Sequence, residues 1–337
     1  MSPNMKKEIH EYEAQRMFSS ESADVLLPNS FSVSRKNFRK EIDFYAPGFI
    51  KYDVMGLKNK SLDFPAISIT GESCALNCEH CKKHLLKTMI PAKTPEELLD
   101  VCINLYKKGA KGCLISGGAD LSGRVPLKKF IDVIKKIKKE TNLTLAVHTG
   151  IVDEETAKGM ASAGVDIALV DVIGDRETLE NVYHLNGSPA DFENSLICLK
   201  ENGVKIAPHI VIGLNYGKIS GEFHALDILQ RIKPDAIVLV GLMPFNDTPM
   251  FSVKPPTAKD IAKFIAVARL MFPETPLILG CARNRKDKAE LDVLAVRAGI
   301  NAIAYPSGTA IEEAKKMNLK INFKVVCCAE YALLKEK

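Results

Sequence analysis

The sequence predicts an α/β chain folded as a (β/α)8 barrel. Two observations lead there. Short apolar, β-branched runs alternate with amphipathic helical segments over about 250 residues, the length of such a barrel. Most of the strand runs are apolar on both faces, as strands of a helix-covered parallel sheet should be. A doubly wound open sheet is the other architecture that fits the alternation.

The expected strands, in order, are Ala66–Thr70, Gly112–Ser116, Leu143–Val147, Asp166–Val170, Val204–Ile212, Ala236–Val240, Leu277–Cys281 and Ala302–Tyr305. The helices between them carry start signals. Thr94-Pro95-Glu96-Glu97 sets a capping Thr before a first-turn Pro, with Glu at the third helical position. Ser188-Pro189-Ala190-Asp191 repeats this with Asp, and Thr257-Ala258-Lys259-Asp260 is a fainter version. The stops are Gly109, Gly164, Gly203 and Gly299, each just ahead of a strand. This places a barrel over residues 61–318, between an N-terminal extension (1–60) and a C-terminal segment (319–337). The extension opens with a helix from Lys6 to Phe18 and continues as irregular sequence rich in aromatics and Pro. The C-terminal segment carries Cys327-Cys328 and could fold back over the barrel mouth.

Composition sets the outer limits. The 337 residues are 46% hydrophobic and 26% charged, enough to bury a sizeable core. Net charge is +5, and the densest basic run, Lys135 to Lys139, falls in a predicted helix, where it reads as a solvated face rather than a nucleic-acid site. No run approaches the roughly 20 apolar residues of a membrane span. Met1 to Arg16 lacks the apolar core of a signal peptide, so a cytoplasmic protein is expected. In that reducing compartment nine cysteines point to metal binding more than to disulfides.

The chemistry is expected at the C-terminal ends of the strands. Cys74, Cys78 and Cys81 follow directly after the first strand, in the spacing C-x3-C-x2-C. Three thiolates on one short loop can hold three corners of a four-iron cluster, leaving the fourth iron open to a ligand. The competing reading is zinc, with His80 or His84 completing the set, although zinc modules usually present two separated ligand pairs. After the second strand, Gly117 and Gly118 let the backbone approach a ligand or simply turn the chain, with Asp120 close behind. Asp171 ends the fourth strand, where it could meet ribose hydroxyls or cap a helix. His148 ends the third strand as a site candidate, and His209, inside the fifth, reads as a core histidine. Cys281, Cys327 and Cys328 could together hold a second cluster, or be buried and incidental, while Cys102, Cys113 and Cys198 read as core residues.

The triplet after a first barrel strand resembles the signature of the radical S-adenosylmethionine (SAM) superfamily. That resemblance implies a 4Fe-4S cluster that chelates SAM, receives an electron from a low-potential donor and yields a 5′-deoxyadenosyl radical. It implies that Gly117, Gly118 and Asp120 grip the SAM amino group and that the backbone at Gly213 lies against the adenine. Residues 257–305 resemble biotin synthase: a helix with Ile265-Ala266-Val267-Ala268-Arg269, then Pro273, a strand leading to Arg283, and Ala298-Gly299-Ile300-Asn301-Ala302-Ile303. Arg283 matches the arginine that reaches the sulfur-donating cluster there, so the resemblance implies a catalytic role for it. The cysteines holding that cluster do not carry over, since Ala207 stands at the fifth-strand position.

The whole pattern is most similar to archaeal biotin-synthase homologues of two-component lipoyl synthesis. It implies sulfur insertion at an unactivated carbon of an octanoyl chain, with an octanoylated carrier protein and a second radical SAM protein as partners. Leu85, Leu86, Met89 and Ile90 could line the entry for such a chain, or pack as ordinary helix residues. The other expectations are carbon-skeleton or methyl chemistry of the methylornithine synthase or maturase type, and a metal-binding protein without turnover.

Overall fold

The computed structural model describes residues 9–334. Thirteen strands are found there: β1 (Glu41–Tyr45), β2 (Asp53–Val54), β3 (Leu57–Lys58), β4 (Ala66–Ser68), β5 (Ile90–Pro91), β6 (Gly112–Ser116), β7 (Thr144–His148), β8 (Ile167–Leu169), β9 (His209–Ile212), β10 (Ile237–Gly241), β11 (Leu277–Leu279), β12 (Ala302–Ala304) and β13 (Lys320–Lys324). The eight expected strands are β4 and β6 to β12. They neighbour one another in sequence order and run parallel, which excludes the doubly wound sheet, whose strand order reverses. β8 and β9 are joined through bridges at Ala168–Ile206 and Asp171–His209. The start of the expected fifth strand is irregular because Pro208 has no N–H to donate to a ladder.

The barrel does not close by pairing its eighth strand with its first. The free edge of β12 takes β1, in the register Asp43–Ala302 to Tyr45–Ala304, and β1 takes β13, from Glu41–Lys320 to Tyr45–Lys324. Among the described residues β5 is the edge strand at the other end. Residues 1–60 and 319–337, expected to lie outside the barrel, therefore each supply a strand to its wall. The reason is visible in β1: Ile42, Phe44 and Tyr45 are fully buried, an apolar set that needs two neighbours.

The N-terminal extension is also more helical than expected. α1 spans Glu11–Ser20, and the residues Lys6 to Glu8 of the expected helix lie outside the described residues. α2 spans Ala23–Asn37 despite Pro28 in its interior. Tertiary packing overrides that local cost. Buried Ser30 and Ser34 donate to Ala298 O and Gly299 O at 3.0 and 2.7 Å, satisfying carbonyls at the end of a crossover helix.

The helix signals act as read. Thr94 and Glu97 form a reciprocal capping box, and so do Ser188 with Asp191 and Thr257 with Asp260. The four stop glycines have φ between 76° and 83°, a conformation costly for any residue with a Cβ. No helix among the described residues is long and apolar enough to cross a membrane.

The C-terminal segment does more than cover the mouth. After β13 a 3-10 turn, Cys328–Leu333, packs against β8 and β12 from inside the sheet. Glu330 reaches Thr144 and Asp166, at the opening ends of β7 and β8. The segment thus enters the bore at the catalytic end and fills it towards the base. Asp43, Asn322, Lys324 and Tyr45 form a polar network beside it, with Asp43 paired to Lys324.

Candidate active site

The triplet lies on the loop after β4, at the catalytic end. Cys78 is buried, whereas Cys74 and Cys81 are partly open, and no disulfide ties any of them. Cys78 and Cys81 hydrogen-bond to each other, which pushes the Cys78 thiol up and draws Cys81 down to about 7. Cys78 also points its sulfur at Tyr183 O, 3.9 Å away. Glu79 anchors the loop from outside, with Lys82 at 2.8 Å and His184 at 2.7 Å.

His80 carries a signal that spacing alone does not. Its Nδ1 is buried without a hydrogen-bond partner, beside the Tyr183 ring at 5.4 Å between centroids. Burial holds the imidazole down at about 4, hence neutral. An orphaned polar atom against a partly open thiol set is what a site for an additional bound group requires. Zinc fits less well. Its Zn–S bonds of about 2.3 Å would draw sulfurs to roughly 3.8 Å. Among the described residues, the triplet and its histidines do not gather three ligand atoms within 4.8 Å of one another. His84, the other proposed zinc ligand, instead stacks on Phe245 at 5.7 Å.

Gly118 explains why glycine follows β6. A Cβ there would lie 2.0 Å from Ser73 O and 2.5 Å from the Cβ of Cys74, so the cysteine loop rests directly on this residue. The Gly118 amide is held by Thr70 Oγ1 at 2.7 Å. Gly117 lies beside Thr70 and Ile69. Asp120 is placed differently from expectation. Its exposed carboxylate receives the Ser122 amide and hydroxyl and the Arg124 amide, at 2.9, 2.7 and 3.0 Å. It caps its own turn, because Ala119 carries it one residue past the glycines.

Gly213 ends β9 with φ 84°, and a Cβ there would strike Pro256 at 2.3 Å. Its amide donates to Glu222 at 2.7 Å, as does that of Ser220. Glu222 was not singled out from the sequence. It is buried, burial pushes it up to about 7, and it ties the β9 loop to the following helix. A lone Glu beside the apolar run from Phe223 was the available sign.

Cys281, at the end of β11, meets Cys327 and Cys328 from the tail. Cys328 hydrogen-bonds to both, and its thiol is pushed up while that of Cys281 is lowered. Cys327 and Cys328 are buried, and Cys281 is partly open to the bore. Arg283 lies near Cys281 but is spent on structure. Its side chain is buried, Nε donates to Asp292 at 2.7 Å, and Nη1 donates to Gly280 O. Nη2 donates to Ala304 O and Tyr305 O at 2.7 and 3.1 Å. These bonds clamp the ends of β11 and β12 together. Cys102 and Cys113 are fully buried, with their thiols paired to each other.

Asp171, expected to face ribose hydroxyls, sits with His148 and His209. The His148 Nε2 to Asp171 Oδ1 distance is 3.4 Å, and the two histidine rings are 5.7 Å apart. Burial would raise Asp171, but His148 outweighs it and the carboxylate is held at about 2. The same ion pair raises His148 against its own burial. His209 donates through Nδ1 to Ala207 O, 3.0 Å away, so the reading as a satisfied core residue covers only half of the ring.

Comparison with known proteins agrees with this geometry. Residues 68–221 match the radical SAM superfamily, and residues 239–324 match the biotin and thiamin synthesis associated domain. The biotin synthase of Geotalea daltonii is 24% identical over 267 residues, covering 76% of this chain and 80% of the relative. That of Methanococcus vannielii is 24% identical over 302 residues, covering 84% and 90%. In fold, the chain is similar to a methylornithine synthase, with TM-score 0.66, 17% identity and coverage of 94% and 95%. It is also similar to the FeFe-hydrogenase maturase of Carboxydothermus hydrogenoformans, with TM-score 0.64, 15% identity and coverage of 94% and 76%. A cysteine loop at the mouth of a parallel barrel, the two domain matches and the biotin synthase relatives together make this chain biotin-synthase-like, with a radical SAM match followed by a biotin and thiamin synthesis associated match.

Proposed function

We propose that this enzyme inserts sulfur at an unactivated carbon, acting as a lipoyl synthase component on a protein-bound octanoyl chain. The observation that carries the reading is the meeting of Cys281, Cys327 and Cys328 at the barrel mouth. Three thiols from two distant segments, at the same end of the sheet as the triplet, suit a second iron–sulfur cluster that could act as sulfur store. Cys74, Cys78 and Cys81 would hold the first cluster, with His80 and the Gly117–Gly118 backbone beside its ligand. When bound, the cluster and SAM supply one-electron cleavage of SAM and hydrogen-atom abstraction, as in the superfamily at large, with an electron donor required.

The chain's own residues do the positioning. Gly118 seats the triplet loop, and Glu222 fixes the Gly213 turn through two amides. Arg283 and Asp292 fix the strand ends that carry Cys281. The tail packs its buried Cys328, Ala329, Tyr331 and Ala332 below, against β8 and β12. Such rigidity matters because the reacting methylene must be held in one geometry. Exposed Leu85 offers an apolar surface at the mouth, whereas Leu86 is buried as packing.

The test combines anaerobic protein with SAM, a reductant, an octanoylated carrier protein and candidate partner proteins. Mass spectrometry of the carrier should show one sulfur added by this chain alone, or two with a partner radical SAM protein. Turnover of SAM with deuterium taken from another substrate, and none from labelled octanoyl carrier, would retire the lipoyl reading. Changing Cys74, Cys78 and Cys81 together to Ala should abolish 5′-deoxyadenosine formation. An iron content near four per chain in wild type, rather than about eight, would favour rearrangement chemistry without sulfur insertion.

A further inference from the structure

His148, Asp171 and His209 stand on three consecutive strand ends, at the close of β7, just past β8 and at the start of β9. One ligand-type atom from each lies within 4.8 Å of the others. The side chains of His148 and Asp171 keep 27% and 32% of their surface exposed, so the set opens into the bore rather than into packed core. We propose that these three residues bind a divalent transition-metal ion, through a ligand set that shares no residue with either group of thiols, with an open coordination position facing the bore.

Three features support this. Two imidazoles and one carboxylate are the donor set that suits zinc or ferrous iron when three protein ligands leave positions for another molecule. The 3.4 Å between His148 Nε2 and Asp171 Oδ1 is long for a charge-assisted hydrogen bond, which settles near 2.7–2.9 Å. It equals the edge of a tetrahedron built with metal bonds of about 2.1 Å. His209 is set by a second partner in the manner of a metal ligand: Nδ1 meets the Ala207 carbonyl at 3.0 Å, which selects the tautomer whose Nε2 lone pair is free. The ligand atom of His209 lies within 4.8 Å of the other two, so a shift of at most about 1.4 Å brings it to the same edge length, at a position not sealed by packing. The open position suits an oxygen or sulfur donor on the substrate.

The experiment uses the full chain with its clusters reconstituted and held oxidised. Zn2+ is titrated calorimetrically, and Mn2+ is followed by electron paramagnetic resonance with Zn2+ as competitor. One Zn2+ should bind per chain and displace one Mn2+. The His148→Ala/His209→Ala variant should bind at least about 100-fold more weakly, with its iron content unchanged. Asp171→Asn, which keeps size and shape, should weaken binding in the same titration and serves if the double variant fails to fold. Absence of a zinc-binding event in wild type would overturn the proposal. So would equal binding by both variants, which would mark an adventitious surface site. Loss of SAM affinity in Asp171→Asn without any zinc event would instead assign the carboxylate to the cofactor's ribose.

Discussion

Replacing Asp292 by Ala should destabilise the fold well beyond an ordinary surface change. Asp292 is fully buried and receives Arg283 Nε, Lys288 Nζ and the Ser307 amide, each at 2.7 Å. Removing it strands the Arg283 cation, whose side chain is only 1% exposed. Breaking a buried pair on one side typically costs about 3–5 kcal/mol, because the remaining charge keeps only neutral carbonyl partners and no counter-charge. Unfolding entropy near the midpoint is about 2.1 cal/mol/K per residue, or roughly 0.7 kcal/mol/K for a chain this long, so Tm should fall by about 4–7 °C. Asp292→Asn keeps one acceptor oxygen and should cost less. The assay is anaerobic scanning calorimetry of the cluster-loaded enzyme, alongside 5′-deoxyadenosine yield. A drop in Tm under about 1 °C would refute the clamp. Lost SAM cleavage at unchanged Tm would return Arg283 to the chemistry.

Three further outcomes follow from the site. Gly118→Ala drives a methyl into Ser73 O and Cys74 and should displace the triplet loop; iron bound there should fall by more than half at little cost in helicity by circular dichroism, and full iron content would show the contact to be soft. Cys327→Ala with Cys328→Ala should lower iron from about eight to about four per chain while sparing SAM cleavage; unchanged iron would empty the second-cluster reading. Glu330 is pushed by burial up to about 7 from an ordinary value of 4.5. An acid raised on folding stabilises fully below its unfolded value and loses that contribution as pH climbs through the folded one. Glu330→Gln should therefore gain in Tm relative to wild type between pH 5 and pH 8, and a difference constant across that range would contradict the assignment.

The parts legible in the sequence were those written in local chemistry. Thr94, Ser188 and Thr257 announce helix starts because a cap needs only its own first turn. The triplet announces itself because three thiols on one loop have few uses. What escaped depends on distant neighbours. β1 carries the apolar residues of a strand, but its partners lie more than 250 residues downstream, so nothing nearby marks Glu41–Tyr45 as part of the wall. Arg283 resembles a family residue, yet its role turns on Asp292 and two carbonyls of the next strand end. His209 reads as a core histidine until His148 and Asp171 are seen across from it. Asp120 stands one residue past the glycines, and its bonds to the Ser122 and Arg124 amides cannot be read from the spacing.

The placement of β1 between β12 and β13 also bears on how the chain is made. A ribosome adding about 5–20 residues per second would need roughly 13–50 s to travel from β1 to β12. Throughout that interval Ile42, Phe44 and Tyr45 have no strand to pair with, and the tail that fills the bore has yet to be synthesised. The triplet loop emerges early, whereas Cys327 and Cys328 follow about 250 residues later. The meeting of Cys281 with Cys327 and Cys328 must accordingly await synthesis through Cys328. The nascent chain meanwhile exposes an apolar strand of the kind that molecular chaperones shelter.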